Sequence, residues 1–156
     1  MENEKEKKIV EALESENEND LGVWQFHDKG RGVIALRQFE PGEFVVEYSG
    51  ELINSEEIKL REATYSAATL SSSYMYYFVY KNKRMCIDAT VETGRCGRLI
   101  NHSRSKANVK PQLLDVKNIP RLAFFAIRKI EKFEELLYDY GDRRVKILAA
   151  NPWLAH

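Results

Sequence analysis

Glu134-Glu135-Leu136-Leu137-Tyr138-Asp139-Tyr140-Gly141-Asp142 is the most informative run of residues in the chain. Its tyrosines stand two apart, and side chains on an extended segment repeat with period two, so both rings project from one face. Their hydroxyls can look into one cavity. Upstream, Arg98-Leu99-Ile100-Asn101-His102-Ser103 is the natural partner for that cavity. Downstream, Arg143 to Ala150 has the composition of a short helix, stopped where Asn151 precedes Pro152.

Short strands dominate the rest of the chain. Leu21 to Phe26 reads as a strand broken by Asp28-Lys29-Gly30; Val33 to Leu36 and Phe44 to Tyr48 are β-branched and aromatic runs separated by Pro41-Gly42. Tyr74 to Tyr80 is an aromatic strand turned by Lys81-Asn82-Lys83 into Met85-Cys86-Ile87-Asp88, and Leu122 to Ile127 is one more buried strand. Residues 2–19 carry a thin apolar stripe of Ile9, Val10 and Leu13, a surface helix that frays by Asn17. Asn54 with Glu57 resembles a capping box opening a helix through about Tyr65, and Thr69 to Ser73 reads as a small polar loop. Strands and helices do not alternate, so the fold class is α+β, mainly β, in one domain.

The chain has 156 residues, 44% of them hydrophobic, enough for one core. Its 24 basic and 24 acidic residues cancel, which gives no support for nucleic-acid binding by an overall field. No run is long and apolar enough to span a membrane, and the charged start is unlike a secretory signal, so a soluble, intracellular protein is expected. Cys86 and Cys96 are too few for a structural zinc site, and His27, His102 and His156 show no ligand spacing; no metal is expected.

Several residues could carry chemistry. In Lys29-Gly30-Arg31-Gly32 the glycines would let backbone approach a ligand closely, although alone the segment reads first as a plain β-turn. It lacks the third glycine and following helix of a dinucleotide fingerprint. Asn101-His102-Ser103 is a poor hydrolase site, because adjacent residues seldom bring hydroxyl and imidazole into reach and no orienting acid follows. An Asn offering donor and acceptor suits the edge of an adenine, or a turn that caps local backbone. Trp153 is either a core plug or a stacking platform. Tyr48, Tyr74, Tyr138 and Tyr140 all fall at strand ends or in loops.

Gly30-Arg31-Gly32-Val33, Tyr48-x-Gly50, Arg98 to Ser103 and Glu134 to Gly141, in that order and spacing, resemble the SET domain of protein lysine methyltransferases from about Ile9 to His156. Phe44 to Tyr48, Tyr74 to Phe78, Asp88-Ala89-Thr90-x-Glu92-Thr93 and Pro152-Trp153-Leu154-x-His156 are similar to the branch that monomethylates lysine-20 of histone H4. That branch ends in a helix where many relatives carry a cysteine-rich zinc module.

The resemblance implies small curved sheets, with the Asn101-His102 and Tyr138-Tyr140 segments crossing in a pseudoknot. It divides the chain into an N-terminal flanking helix (1–20), a SET domain (21–142) and a C-terminal flanking helix completing the cofactor site (143–156). The cofactor it implies is S-adenosyl-L-methionine, held by Lys29, Gly30, Arg31, Tyr74, Asn101 and His102 with Trp153 near the adenine. Tyr140 would be catalytic, Tyr48 would line the lysine channel, and Tyr138 would restrict the product to monomethyl-lysine. Histone H4 tails in nucleosomes are the implied partner, with DNA contact only through the nucleosome, in the nucleus, by a monomer. Another histone or non-histone substrate, or an inactive tail-binding module, are the alternatives. Phe133 stands where the family usually has a turn glycine, so a reshaped turn is expected there.

Overall fold

In a computed structural model of the chain, the structure describes residues 4–65 and 74–141. The expected helix at 143–150, Trp153 and the loop at 69–73 lie outside the described residues.

The described elements run α1 (Glu4–Ser15), β1 (Leu21–Phe26), β2 (Gly30–Ala35), β3 (Phe44–Glu47), β4 (Glu51–Asn54), α2 (Ser55–Thr64), β5 (Met75–Tyr80), β6 (Lys83–Asp88), a 3-10 turn (Gly97–Leu99), β7 (Asn101–His102), β8 (Val109–Val116), β9 (Ile119–Ala126) and β10 (Leu137–Tyr138). They form four small sheets: β1-β2, β10-β7, β3-β9-β8 and β4-β6-β5. The α+β, mainly β class follows directly.

Local chemistry accounts for most boundaries. Lys81-Asn82 (φ 50° and 64°) and Lys117-Asn118 (φ 54° and 66°) both take left-handed conformations, the twist a two-residue hairpin loop requires. Asn54 caps α2, its side chain accepting from Glu57 N–H at 3.0 Å. Glu57 does not return the bond; its carboxylate accepts from Arg61 at 2.8 Å instead. α2 seats the fully buried Ile58 against Ile53, Met75 and Cys86, and α1 seats Leu13 against Val116 and Ala123. The main core gathers Val33, Phe39, Phe78, Phe124, Ile130 and Leu136 from three of the sheets and the loops between them.

Three expectations need correcting. Residues 109–116 form a full strand where none was expected. Pro111 argues against strand, but β8 lies at the edge of its sheet, where proline is tolerated. Gly30-Arg31-Gly32 is the start of β2 and not a free turn, pairing Phe26, Gln25 and Trp24. The turn at Phe133 is not reshaped: Phe133 keeps φ at 73°, its N–H donating to Ala35 O at 2.6 Å.

Candidate active site

β7 and β10 bring the two decisive stretches together. They pair in parallel, Leu137 opposite Asn101 and Tyr138 opposite His102. On its other side, β10 is held by Asn108, whose N–H donates to Leu137 O at 2.9 Å and whose side-chain oxygen accepts from Leu137 N–H at 2.9 Å. Ser103 N–H donates to Tyr138 O at 3.1 Å. The Leu137-Tyr138 segment is thus laced between residues 101–103 and 108, bonded on both sides, with little freedom to move.

From that seat the tyrosines project together. The rings of Tyr138 and Tyr140 stand 4.8 Å apart, as the two-residue spacing requires. The contacts continue inward from Tyr138 to Phe124 (4.8 Å), from Phe124 to Tyr48 (6.2 Å) and from Tyr48 to Tyr76 (5.8 Å). Outward, Tyr140 meets the His102 ring at 5.0 Å. Tyr48 and Tyr138 are almost fully buried. The Tyr140 hydroxyl donates to Ile100 O at 2.9 Å, which points its proton back into the protein.

A second wall forms where β2 approaches the same strands. The Asn101 amide donates to Arg31 O at 3.1 Å and to Glu135 Oε2 at 3.0 Å, and Lys29 Nζ meets Glu135 Oε1 at 2.5 Å. Only glycine fits at position 32. An added Cβ would sit 2.7 Å from Asn101 Nδ2, from Glu135 Oε2 and from the Phe26 ring. Gly30, at φ 81°, occupies the left-handed region a side chain would resist. Arg31 binds Glu92 through both guanidinium nitrogens, at 2.5 and 3.0 Å, and that bond holds the Glu92 carboxyl below its ordinary range.

Tyr74 joins this wall at one remove. The Arg98 guanidinium lies 4.0 Å from its ring centre, and Arg98 Nη1 reaches Glu92 Oε1 at 3.7 Å. Lys29, Gly30, Arg31, Asn101, His102, Tyr138 and Tyr140 therefore meet in one place. Tyr74 is linked through Arg98 and Glu92, and Tyr48 through Phe124; Trp153 lies outside the described residues.

Sequence reading missed Glu135, Glu92, Arg98, Phe124 and Asn108 as parts of this site. Glu135, Glu92 and Arg98 stood inside stretches already singled out, and that was the available signal. Asn108 carried none. Among the described residues, no group of three or more His, Cys, Asp or Glu side chains could hold a metal ion.

The arrangement sets a glycine-flanked backbone segment beside a run of packed aromatic rings that ends at Tyr138 and Tyr140. Comparison with known proteins agrees on one family. The SET domain family matches residues 30–141. The chain is 52% identical over 154 residues to N-lysine methyltransferase KMT5A of Xenopus tropicalis, covering 99% of this chain and 46% of that protein. It is 47% identical over 147 residues to histone-lysine N-methyltransferase Set8 of Drosophila melanogaster, covering 94% and 21% respectively. Thus it spans about half, or less, of those relatives' length. Among solved structures, SET8 of Cryptosporidium superposes with a TM-score of 0.70 at 44% identity, over 79% of this chain and 58% of that one. A Chaetomium thermophilum Polycomb Repressive Complex 2 bound to S-adenosylmethionine gives a TM-score of 0.63 at 34% identity, over 79% of this chain and 15% of that one.

Proposed function

This chain belongs to the SET-domain family, and from that premise we propose that it is an S-adenosyl-L-methionine-dependent histone-lysine methyltransferase that monomethylates lysine-20 of histone H4. The observation that carries the reading is the Tyr138–Tyr140 pair, 4.8 Å apart, set against the Asn101-His102 strand and the Gly32 cradle.

The cradle fits such a cofactor. Gly30 leaves the main chain open, Gly32 lets the Asn101 and Glu135 side chains close in on it, and Lys29 and Arg31 offer cations beside them. Both are held by carboxylates, Glu135 and Glu92, so a bound carboxylate would share Lys29 with Glu135. The amide protons of Asn101 are engaged by Arg31 O and Glu135, so Asn101 would present its carbonyl oxygen and main-chain groups to an adenine. His102 and Tyr74 would border the same ligand, and residues 143–156 with Trp153 would complete the site. When bound, the cofactor supplies an electrophilic methyl group on a cationic sulfur.

The protein's own residues would do the rest by position. A substrate lysine must lose its proton to solvent before it can attack. From a pKa of about 10.4, neutralising it near pH 7 costs roughly 4–5 kcal/mol. An aromatic passage lined by Tyr48, Phe124 and Tyr138 disfavours the charged amine and lowers that cost, so no dedicated base is required. The Tyr140 hydroxyl donates to Ile100 O, so toward the transfer position its oxygen would act as an acceptor. Held between these walls, the amine would be aligned with the methyl group that the bound cofactor would supply. The Tyr138 hydroxyl fills the room a second methyl would need.

Chromatin, in the nucleus, is the setting this substrate implies, with the chain acting as a monomer on the H4 tail of nucleosomes. The test is transfer from labelled cofactor to recombinant nucleosomes carrying lysine-20 of H4 or alanine there. Label that disappears with the alanine supports the reading. Label persisting on another position replaces the substrate, and absence of label with cofactor bound leaves a tail-binding module.

A further inference from the structure

We propose that Glu18, in the segment between α1 and β1, is a positioning residue for methyl transfer. It acts through the 95–100 turn, whose last carbonyl receives the Tyr140 hydroxyl. Glu18 lies before residues 30–141, the stretch that matches the SET domain family. The role depends on Tyr140 being the tyrosine at the transfer position, as proposed above.

Both oxygens of the Glu18 carboxylate are engaged at the start of that turn. Oε2 accepts from Arg95 Nε at 2.7 Å and Oε1 from the Cys96 main-chain N–H at 2.9 Å, across 77 and 78 positions of sequence. The Glu18 side chain is 15% exposed and that of Arg95 17%, so solvent and salt screen this pair less than a surface pair. Arg95 also reaches Glu47 Oε1 and Ser49 Oγ, both at 3.3 Å. Glu47 is held in turn by Arg121, through Nε and Nη2 at 2.8 Å each, and the same Nη2 donates to Leu13 O at 3.1 Å. The chain after α1, the end of β3 and strand β9 thus meet in one charge network.

From that network the turn runs to the tyrosines. Leu99 N–H donates to Cys96 O at 2.9 Å and Ile100 N–H to Gly97 O at 3.3 Å, closing the 3-10 turn. A Cβ at Gly97 would overlap Glu47 O, so the turn lies directly against the strand that leads into Tyr48. Ile100 is buried, and its carbonyl accepts from the Tyr140 hydroxyl at 2.9 Å. Glu18 therefore fixes one end of a short turn whose other end holds the phenol. Releasing Cys96 would let the turn shift, and a displacement of about 1 Å at Ile100 O would re-aim the Tyr140 oxygen enough to slow transfer strongly.

The experiment compares the parent with E18Q, E18D and E14Q, the last removing a surface pair with Lys117 on the same flank. E18Q should lower kcat about tenfold or more. The cofactor Kd from calorimetry and the KM for substrate should stay within about twofold of the parent's. E18D keeps the charge on a shorter side chain and should recover part of the loss, while E14Q should match the parent. Amide exchange of residues 96–100, measured without cofactor, should quicken severalfold in E18Q.

The deciding variant is E18Q/Y140F. If Glu18 acts through the Tyr140 hydroxyl, E18Q should cost almost nothing further once that hydroxyl is gone, whereas a purely structural role would multiply the two losses. Multiplied losses, parental kcat in E18Q, or failure of both E18Q and E18D to fold would each overturn the proposal. A parent that transfers no methyl group removes the enzymatic reading and this role together. A working parent with an indifferent E18Q removes this role alone.

Discussion

The main-chain N–H of Tyr140 donates to Nδ1 of His102 over 2.9 Å, so a side chain expected to face the cofactor also fixes the backbone of the proposed catalytic tyrosine. His102 stands directly opposite Tyr138 in the parallel pair, and its ring lies 5.0 Å from that of Tyr140. It is a positioning residue for both.

Replacing His102 with alanine removes that acceptor, at a stability cost of about 1 kcal/mol. Misplacing Tyr140 is the larger effect, and turnover should fall by about tenfold to a hundredfold. His102→Asn, which offers an acceptor oxygen, should recover part of it. Unchanged turnover in the alanine variant would show that β10 alone places Tyr140.

Tyr140→Phe deletes the bond to Ile100 O and the phenol oxygen with it. Turnover should drop by about a hundredfold or more, with cofactor affinity measured by calorimetry close to the parent's. Tyr138→Phe should instead keep turnover and move products toward dimethyl-lysine, because the freed space admits a second methyl. Mass spectra showing monomethyl product alone from that variant would remove Tyr138 from product control.

Phe133 sits in the left-handed region at φ 73° while the residue is 64% exposed, so little packing offsets the strain. That conformation costs a residue with a Cβ about 1–2 kcal/mol, against about 0.5–1 kcal/mol for the extra chain entropy of glycine. Phe133→Gly should therefore raise stability by up to about 1 kcal/mol, a shift of about 2–4 °C in Tm. Phe133→Val should lower it. A glycine variant that melts earlier than the parent would mean that the ring contributes more than its exposure implies.

The tyrosine pair, the Lys81-Asn82 hairpin turn and the α2 cap differ from the rest of the structure in how far they reach. Each is determined by residues within a few positions, so period-two spacing, left-handed turn residues and an Asn before a helix could be read directly. Strand β8 was hidden because Pro111 opposes strand formation locally, and only its edge position makes the residue harmless. Glu135 was hidden for a different reason. Its partners Lys29 and Asn101 are 106 and 34 positions away, and nothing local marks a carboxylate that will bridge them. Glu92, 61 positions from Arg31, is the same case.

Asp88 supplies the pH dependence. Its side chain is almost wholly buried, and burial alone would raise its carboxyl. Donors outweigh that: the Thr90 hydroxyl at 2.5 Å, the Tyr65 hydroxyl at 2.6 Å, the Thr90 N–H at 2.9 Å and Arg61 at 3.1 Å. The folded carboxyl is held below its ordinary 3.8. A carboxyl that is a stronger acid when folded stabilises the fold above the ordinary carboxylate range, and that contribution is lost as pH falls through the lowered value. Urea midpoints should therefore be level near neutrality and fall from about pH 4 downward. Asp88→Asn should cost about 1–3 kcal/mol at neutral pH, since an amide cannot serve Arg61 and the three other donors. It should also flatten the acid limb without abolishing it, because Glu43, Glu51 and Glu134 are held low as well. An acid limb as steep in Asp88→Asn as in the parent would assign the acid sensitivity to those surface pairs, and leave the Asp88 network a purely structural tie between α2 and β6.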